Sequence, residues 1–277
     1  METSLGVRYI EFVADELDLA AVARLSVAYA LFVREGDVLR PVQLPAVNRY
    51  DDDLLSIPRY TGKTNEYFTK LLVNLTLAGG TATTLLDPMA GRGTTLNQAV
   101  IYGLDAVGIE IDKKDCEAYR TFFTTWLKNK RLPHKARPDK ARFSVEFAPD
   151  RKTLDGGGGQ KVTMITGDSR ETGTYLKKHS VDAIVTDLPY NVRHREAALE
   201  ELVAASLPGW RAVLRPGGAV GVAWNTRITK RDALAGIFEA AGFDVFDDGP
   251  YTRFEHRVDQ AITRDLLVAR PASGPAA

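Results

Sequence analysis

The sequence predicts an α/β fold: a doubly wound, mostly parallel sheet with helices on both faces and a closing antiparallel strand, preceded by a small N-terminal α+β appendage. Three observations carry that expectation. From Thr84 onward, short apolar runs alternate with helix-length segments, the runs falling at 84–87, 106–111, 162–165, 183–186 and 219–224. This is the pattern of strands joined by crossover helices. Four of the runs end in an acid or reach one within three residues, at Asp87, Glu110, Asp168 and Asp187; open α/β sheets bind ligands outside the carboxyl ends of their strands. The tail from 243 to 268 holds two further strand-like runs without a helix between them, which closes the sheet antiparallel.

In chain order, residues 7–12, 17–23, 26–33 and 38–44 read as strand, helix, strand and strand, with Glu35-Gly36-Asp37 as a hairpin turn. The acidic stretch 48–58 reads as a surface connection. A helix begins near Thr64 or Asn65, either a suitable N-cap, and places Phe68, Leu71, Leu72 and Leu75 on one face before the glycines at 79–80. Helices are expected at 94–102 and from about 115 to 130, and Leu214-Arg215-Pro216-Gly217-Gly218 ends a helix and opens the next strand. Domains are drawn at 1–55 and 56–277, with an insertion at about 128–160.

The 277 residues are 44% hydrophobic, enough for one large domain and an appendage. The 36 basic and 36 acidic residues cancel, so a nucleic-acid partner has to be argued from local patches. The single cysteine, Cys116, excludes an internal disulfide and a cysteine-based zinc site, and is expected in the core of a helical stretch. No apolar run has membrane-spanning length and residues 1–8 lack a signal-peptide pattern, so no membrane association is expected and the expected compartment is the cytoplasm.

The insertion contains the one concentrated positive stretch. Residues 128–142 carry seven Lys and Arg, including Lys128, Lys130, Arg131, Lys135 and Arg137, and four glycines follow at 156–159. The stretch reads either as a loosely ordered, solvated insertion or as an arm that follows a phosphate backbone.

Chemistry gathers at Thr186-Asp187-Leu188-Pro189-Tyr190. The Asp187 carboxylate and the Leu188 carbonyl can each accept an N–H from an exocyclic amine. Pro189 biases Leu188 toward an extended conformation that aims its carbonyl, and Tyr190 offers a ring face for a planar base. Upstream, Asp87-Pro88-Met89-Ala90-Gly91-Arg92-Gly93-Thr94-Thr95 joins a strand to a helix, with Gly91 and Gly93 permitting a tight turn and close ligand approach. Glu110 is placed to accept from two ribose hydroxyls, and Asp168 from an adenine amino group.

This order of motifs resembles the class I S-adenosylmethionine-dependent methyltransferases that modify exocyclic amines. Residues 87–96 are similar to their Asp-Pro-Phe-x-Gly-Ser-Gly-Thr loop. Thr186 to Tyr190 resembles the Asp-Leu-Pro-Phe or Asp-Pro-Pro-Tyr motif of the tRNA guanosine N2-methyltransferases that carry a THUMP domain. The resemblance covers about 59–270 and implies a Rossmann-like sheet with S-adenosyl-L-methionine as cofactor and no metal. It places Asp87, Met89, Ala90, Gly91, Gly93, Thr94, Thr95, Glu110, Ile111, Asp168, Ser169 and Asp187 around the cofactor. Asp187, Leu188, Pro189 and Tyr190 would lie at the reacting amine, with Asn191, Arg193 and the basic arm on the substrate. Asn191 stands where those enzymes commonly have glycine, and the residues before Arg59 are too few for a THUMP module with its companion domain.

The expected reaction is methyl transfer to a nucleobase amine, with guanine N2 in tRNA or other RNA as the acceptor. A small-molecule or protein amine is the alternative acceptor, and a non-catalytic cofactor- or RNA-binding protein the third reading.

Overall fold

The computed structural model describes residues 2–4, 6–60, 63–78, 80–139, 141–190 and 196–272. The chain divides into two compact units, Met1–Val47 and Asn48–Ala277. The smaller contains the strand pair β1 (Glu2–Ser4) and β2 (Val7–Tyr9), helix α1 (Leu19–Arg24), and the hairpin of β3 (Leu31–Glu35) and β4 (Val38–Val42). Asp18 caps α1 by accepting from the Ala20 and Ala21 amides, and Gly36 turns the hairpin at φ 63°.

The larger unit begins with the short helix α2 (Asp53–Ser56) and α3 (Glu66–Leu77). Then come β5 (Thr84–Asp87), α4 (Thr94–Ile101), β6 (Asp105–Glu110), α5 (Lys113–Asn129), β7 (His134–Pro138), β8 (Arg142–Phe147), α6 (Arg151–Asp155) and β9 (Gln160–Thr166). The remainder is α7 (Thr172–Tyr175), β10 (Val181–Asp187), α8 (Glu196–Val213), β11 (Leu214–Asn225), α9 (Arg231–Ala240), β12 (Phe243–Val245), β13 (His256–Arg257) and β14 (Thr263–Pro271). They form one ten-stranded sheet in the order β12-β14-β11-β10-β5-β6-β9-β8-β7, with β13 also on β14. The five central strands, β11 to β9, are parallel, whereas β14 and β12 on one side and β8 and β7 on the other run antiparallel. The expected Rossmann-like sheet is thus present, with antiparallel strands at both ends rather than one.

Two buried clusters cover the two faces of the sheet. Leu72, Phe123 and Trp126 anchor one; Leu199, Trp210 and Phe238 anchor the other. The central strands are apolar toward both clusters, as strands covered on both faces must be. On β14 the alternation is visible residue by residue: Leu266 and Val268 join the first cluster, Leu267 and Ala269 the second. Helix α3 comes very close to β11. A Cβ at Gly221 would lie 1.8 Å from the Thr76 hydroxyl oxygen.

Three sequence expectations change. The stretch 48–58 is not a surface connection: Leu54 is fully buried, and Asp53 accepts from the Trp126 indole N–H at 3.0 Å. It belongs with the larger unit, so the division between the units falls before residue 48 rather than after 55. The face of α3 that is buried is Thr69, Leu72, Val73 and Thr76, with Phe68, Leu71 and Leu75 only partly covered. The insertion is ordered: β7 and β8 extend the sheet, and the amides of Gly156 and Gly158 close the end of α6 on the Lys152 and Thr153 carbonyls. Among the described residues, no helix is long and apolar enough to cross a membrane.

Candidate active site

The carboxyl ends of β5, β6, β9 and β10 open into one cavity of about 690 Å³, and each contributes its acid. The loop after β5 is drawn toward β6 by the bond from the Ala90 amide to the Ile109 carbonyl, 2.9 Å. Gly93 enters α4 at φ 80°, and a Cβ there would sit 2.3 Å from the Tyr119 ring of α5. Only glycine satisfies both conditions. Met89, Ala90, Gly91, Thr94, Thr95 and Ile111 line the cavity, while Gly93 lies behind them.

Asp87 is almost wholly buried and accepts from the Met89 amide at 3.1 Å. Burial pushes its carboxyl up to about 7, against the opposing pull of Thr186, the Met89 amide and Thr95. It shapes the loop as well as lining the cavity.

Glu110 accepts from the Gly91 amide through Oε2 and from the Asp112 amide through Oε1, each at 2.8 Å. A carboxylate has about four acceptor positions, so both oxygens keep capacity for a diol. Beside it Ile111 is 70% exposed and lines the cavity, an apolar surface a flat ring can cover. Asp168 caps the short turn Ser169–Glu171 through the Arg170 amide. The Arg170 guanidinium, 2.5 Å away, holds the Asp168 carboxyl below its usual range. The Ser169 hydroxyl accepts from the Trp210 indole N–H at 3.2 Å. A diol acceptor, an uncovered apolar side chain and a second acid, arranged around a bare glycine turn, suit the ribose and adenine of an adenosine.

At the end of β10, Asp187 accepts from the Thr64 hydroxyl at 2.5 Å and from the Tyr190 hydroxyl. The Arg264 Nε donates to the same Tyr190 oxygen at 2.6 Å, and its Nη2 lies 3.7 Å from Asp187. Burial pushes the Asp187 carboxyl up, opposed first by Arg264 and then by Thr64 and Tyr190. Burial and the adjoining Asp187 charge also push the Tyr190 phenol up, so it stays protonated and donates. Asp187, Leu188, Pro189 and Tyr190 all line the cavity.

The basic residues are placed elsewhere. Lys128, Lys130 and Arg131 lie at the carboxyl end of α5, which runs from the cavity end of the sheet to its opposite end. Lys135 is on β7, level with the start of β9 in the ladder, and Arg137 is level with the middle. β7 lies two strand spacings beyond β9, roughly 10 Å. Lys130 is paired with Asp51 and Asp53, at 2.7 and 2.6 Å, and Lys135 with Asp155 at 3.0 Å. Asn191 and Arg193 lie outside the described residues.

Tyr60, Thr64, Phe68, Arg92 and Arg170 also line the cavity, and Arg264 stands against Tyr190 and Asp187, none of them matched by a local sequence motif. Tyr60 meets the Thr94 hydroxyl at 3.0 Å and carries the Arg92 guanidinium 5.1 Å from its ring centre. Of the two candidate caps of α3, Asn65 is the one used, leaving Thr64 to bond Asp187, 123 positions away.

Residues 61–237 match the UPF0020 family model, the RMKL-like methyltransferase domain. The chain belongs to this family. This RMKL-like methyltransferase is similar in structure to a candidate RNA methyltransferase from Pyrococcus horikoshii, with a TM-score of 0.51 at 12% identity, over 80% of this chain and 94% of that one. It is also similar to TrmN from Thermus thermophilus, with a TM-score of 0.49 at 17% identity, over 84% of this chain. It spans 56% of the length of TrmN. The methyl donor of an RMKL-like methyltransferase domain with this sheet is S-adenosylmethionine, and the acceptors of Glu110 and Asp168 are chemically suited to its adenosine.

Proposed function

We propose that this RMKL-like methyltransferase methylates an exocyclic amine of a nucleobase in RNA, with guanine N2 in tRNA or other RNA as the acceptor. One observation carries the reading: Asp187 and the adjoining Leu188-Pro189-Tyr190 face the same cavity as Glu110 and Asp168. An amine held at Asp187 would therefore share one cavity with a methyl donor held at Glu110 and Asp168.

S-adenosylmethionine, when bound, supplies a methyl group on a positively charged sulfur, so the protein needs no metal or strong base. An aromatic amine is a poor nucleophile because its lone pair is delocalised into the ring. By accepting its two N–H bonds, the Asp187 carboxylate and the Leu188 carbonyl favour a more tetrahedral nitrogen and fix its direction of attack. Such positioning contributes up to roughly 7–11 kcal/mol in favourable cases. The methylated nitrogen carries an extra proton, which passes to Asp187 or to water. A base in structured RNA is taken unpaired or flipped out, with Tyr190 beside it.

The second reading, a small-molecule amine, is favoured by one observation: the basic stretch lies away from the cavity. Tritium from labelled S-adenosylmethionine separates the two. Incorporation into tRNA or rRNA from a strain lacking the gene supports RNA, and guanine N2 is then read from nucleoside digests. Label confined to the small-molecule fraction of the same extract overturns the RNA assignment.

A further inference from the structure

We infer that Arg264 is a positioning residue of the acceptor site, which keeps Asp187 ionised and sets the place of Tyr190. The inference rests on the reading of Asp187 as the group that holds the amine. Arg264 lies beyond the family match at 61–237, on the antiparallel strand β14. Asn225 on β11 and His256 on β13 flank it in the ladder.

The guanidinium is closely enclosed. Its side chain is 8% exposed, its carbon lies 4.9 Å from the Phe68 ring centre and 5.2 Å from that of Tyr190, and its Nε donates to the Tyr190 hydroxyl at 2.6 Å. Tyr190 passes the contact on by donating to Asp187. A buried cation thus reaches the carboxylate twice, through the phenol and directly at 3.7 Å. Truncating such a group strands its partner's charge, which is why buried pairs are costly to break.

Among the described residues, the surroundings of Asp187 leave Arg264 as its countercharge. The segment before α3 contributes the neutral Thr64, and β11 sets Ala223 beside it. β5 ends at Asp87, level with Val185 in the ladder. The loop after β10 contributes Tyr190, and His256 of β13 packs on Phe68 with ring centres 5.2 Å apart and Nδ1 on the Phe254 carbonyl. Protonation turns one Asp187 oxygen into a donor and leaves the other a weaker, uncharged acceptor for the amine. Arg264 therefore acts on turnover through the protonation of Asp187 and touches neither methyl donor nor base.

The test follows the Asp187 carboxyl by carbon-13 NMR of the full-length protein labelled at aspartate, its resonance assigned by loss in Asp187→Asn. In Arg264→Met the Asp187 midpoint is expected to rise by about one pH unit or more, the range set by removing an adjacent opposite charge. In Arg264→Lys, which keeps a cation without the planar fork, the midpoint is expected to stay within about half a unit of wild type. The acid limb of tritium transfer to RNA should move upward with the NMR midpoint in Arg264→Met and be restored in Arg264→Lys. An unchanged midpoint in a folded Arg264→Met, or an equally large rise in Arg264→Lys, overturns the inference. If Arg264→Met does not fold, Arg264→Gln, which keeps a polar side chain but removes the charge, takes its place with the same expected rise and the same overturning result. The NMR result stands without any acceptor, so a protein that shifts as expected but labels no RNA sinks the RNA reading and leaves the role of Arg264 intact.

Discussion

Tyr190 brings a ring and a hydroxyl to the acceptor side, and the structure uses both. From the sequence the ring face is the evident asset, and replacement by phenylalanine would be mild. With the hydroxyl lodged between Asp187 and Arg264, Tyr190→Phe removes a hydrogen bond to a charged group, worth about 1.5–3 kcal/mol. Turnover should fall roughly 10- to 100-fold with cofactor affinity unchanged. Calorimetry and single-turnover transfer measure the two, and a full-speed Tyr190→Phe would restore the ring-only account. Asp87 offers a second expectation. Its folded carboxyl sits near 7 against an ordinary 3.8, so the protonated form is favoured by folding. Its contribution to stability is whole below about pH 4 and is lost as pH climbs through 7, a displacement on the order of 4 kcal/mol. Asp87→Asn should flatten this decline, so that its stability relative to wild type by urea unfolding is better at pH 8 than at pH 5. An equal difference at both pH values would contradict the burial argument.

At the level of elements, local pattern made the βα series legible. Strands β5, β6, β9, β10 and β11 and helices α3, α4 and α5 all fall where the runs and turn residues put them. The segment around 128–160 hides its strands for a physical reason. β7 is His-Lys-Ala-Arg-Pro, and charge and proline are what sheets use to blunt an exposed edge; the same residues look like a phosphate-binding arm. The alternation of Phe143, Val145 and Phe147, all buried, was the available strand signal beside it. Arg264 and Thr64 were invisible for another reason: their partners lie 74 and 123 residues away, and no local period reports a contact of that span. The approach of α3 to β11 gives a prediction of its own. Gly221→Ala drives a methyl into Thr76, and overpacking of this kind costs about 1–3 kcal/mol. Because α3 also carries Phe68, a loss in urea stability should appear together with reduced transfer. An unperturbed Gly221→Ala would mean that the helix shifts freely on the sheet.

On the scale of the whole molecule, the balanced charge offers no long-range attraction to RNA, so phosphate contacts have to be local. Of the five cations Lys128, Lys130, Arg131, Lys135 and Arg137, Lys130 and Lys135 already face carboxylates. Replacing Lys128, Arg131 and Arg137 with glutamine should, if all three meet phosphate, reduce the slope of log affinity against log salt by roughly 2–3. Adding Lys130 and Lys135 to that set should change it little further. Filter binding across salt concentrations reads this directly, and an unaltered slope in the triple variant would move the RNA path off the β7 edge. The small unit at Met1–Val47 and the strands after residue 237 lie outside the family match, and the second of these supplies the cation beside Asp187.

The alternation along β14 makes its parity consequential. Arg264 meets Phe68 and Tyr190, while the next residue, Asp265, is buried and bonded to Arg231 of α9 at 2.9 Å. A one-residue slip of this strand against β11 would exchange the two faces. Slipped one way it would set the Asp265 carboxylate beside Asp187, and slipped the other way the Arg264 guanidinium beside Arg231, so that like charges would meet in either case. The apolar residues that follow, Leu266 to Ala269, are buried toward both faces and would discriminate weakly against such a shift. The adjacent Arg264 and Asp265, each matched to an opposite charge on its own side, distinguish one frame of this strand from its neighbour.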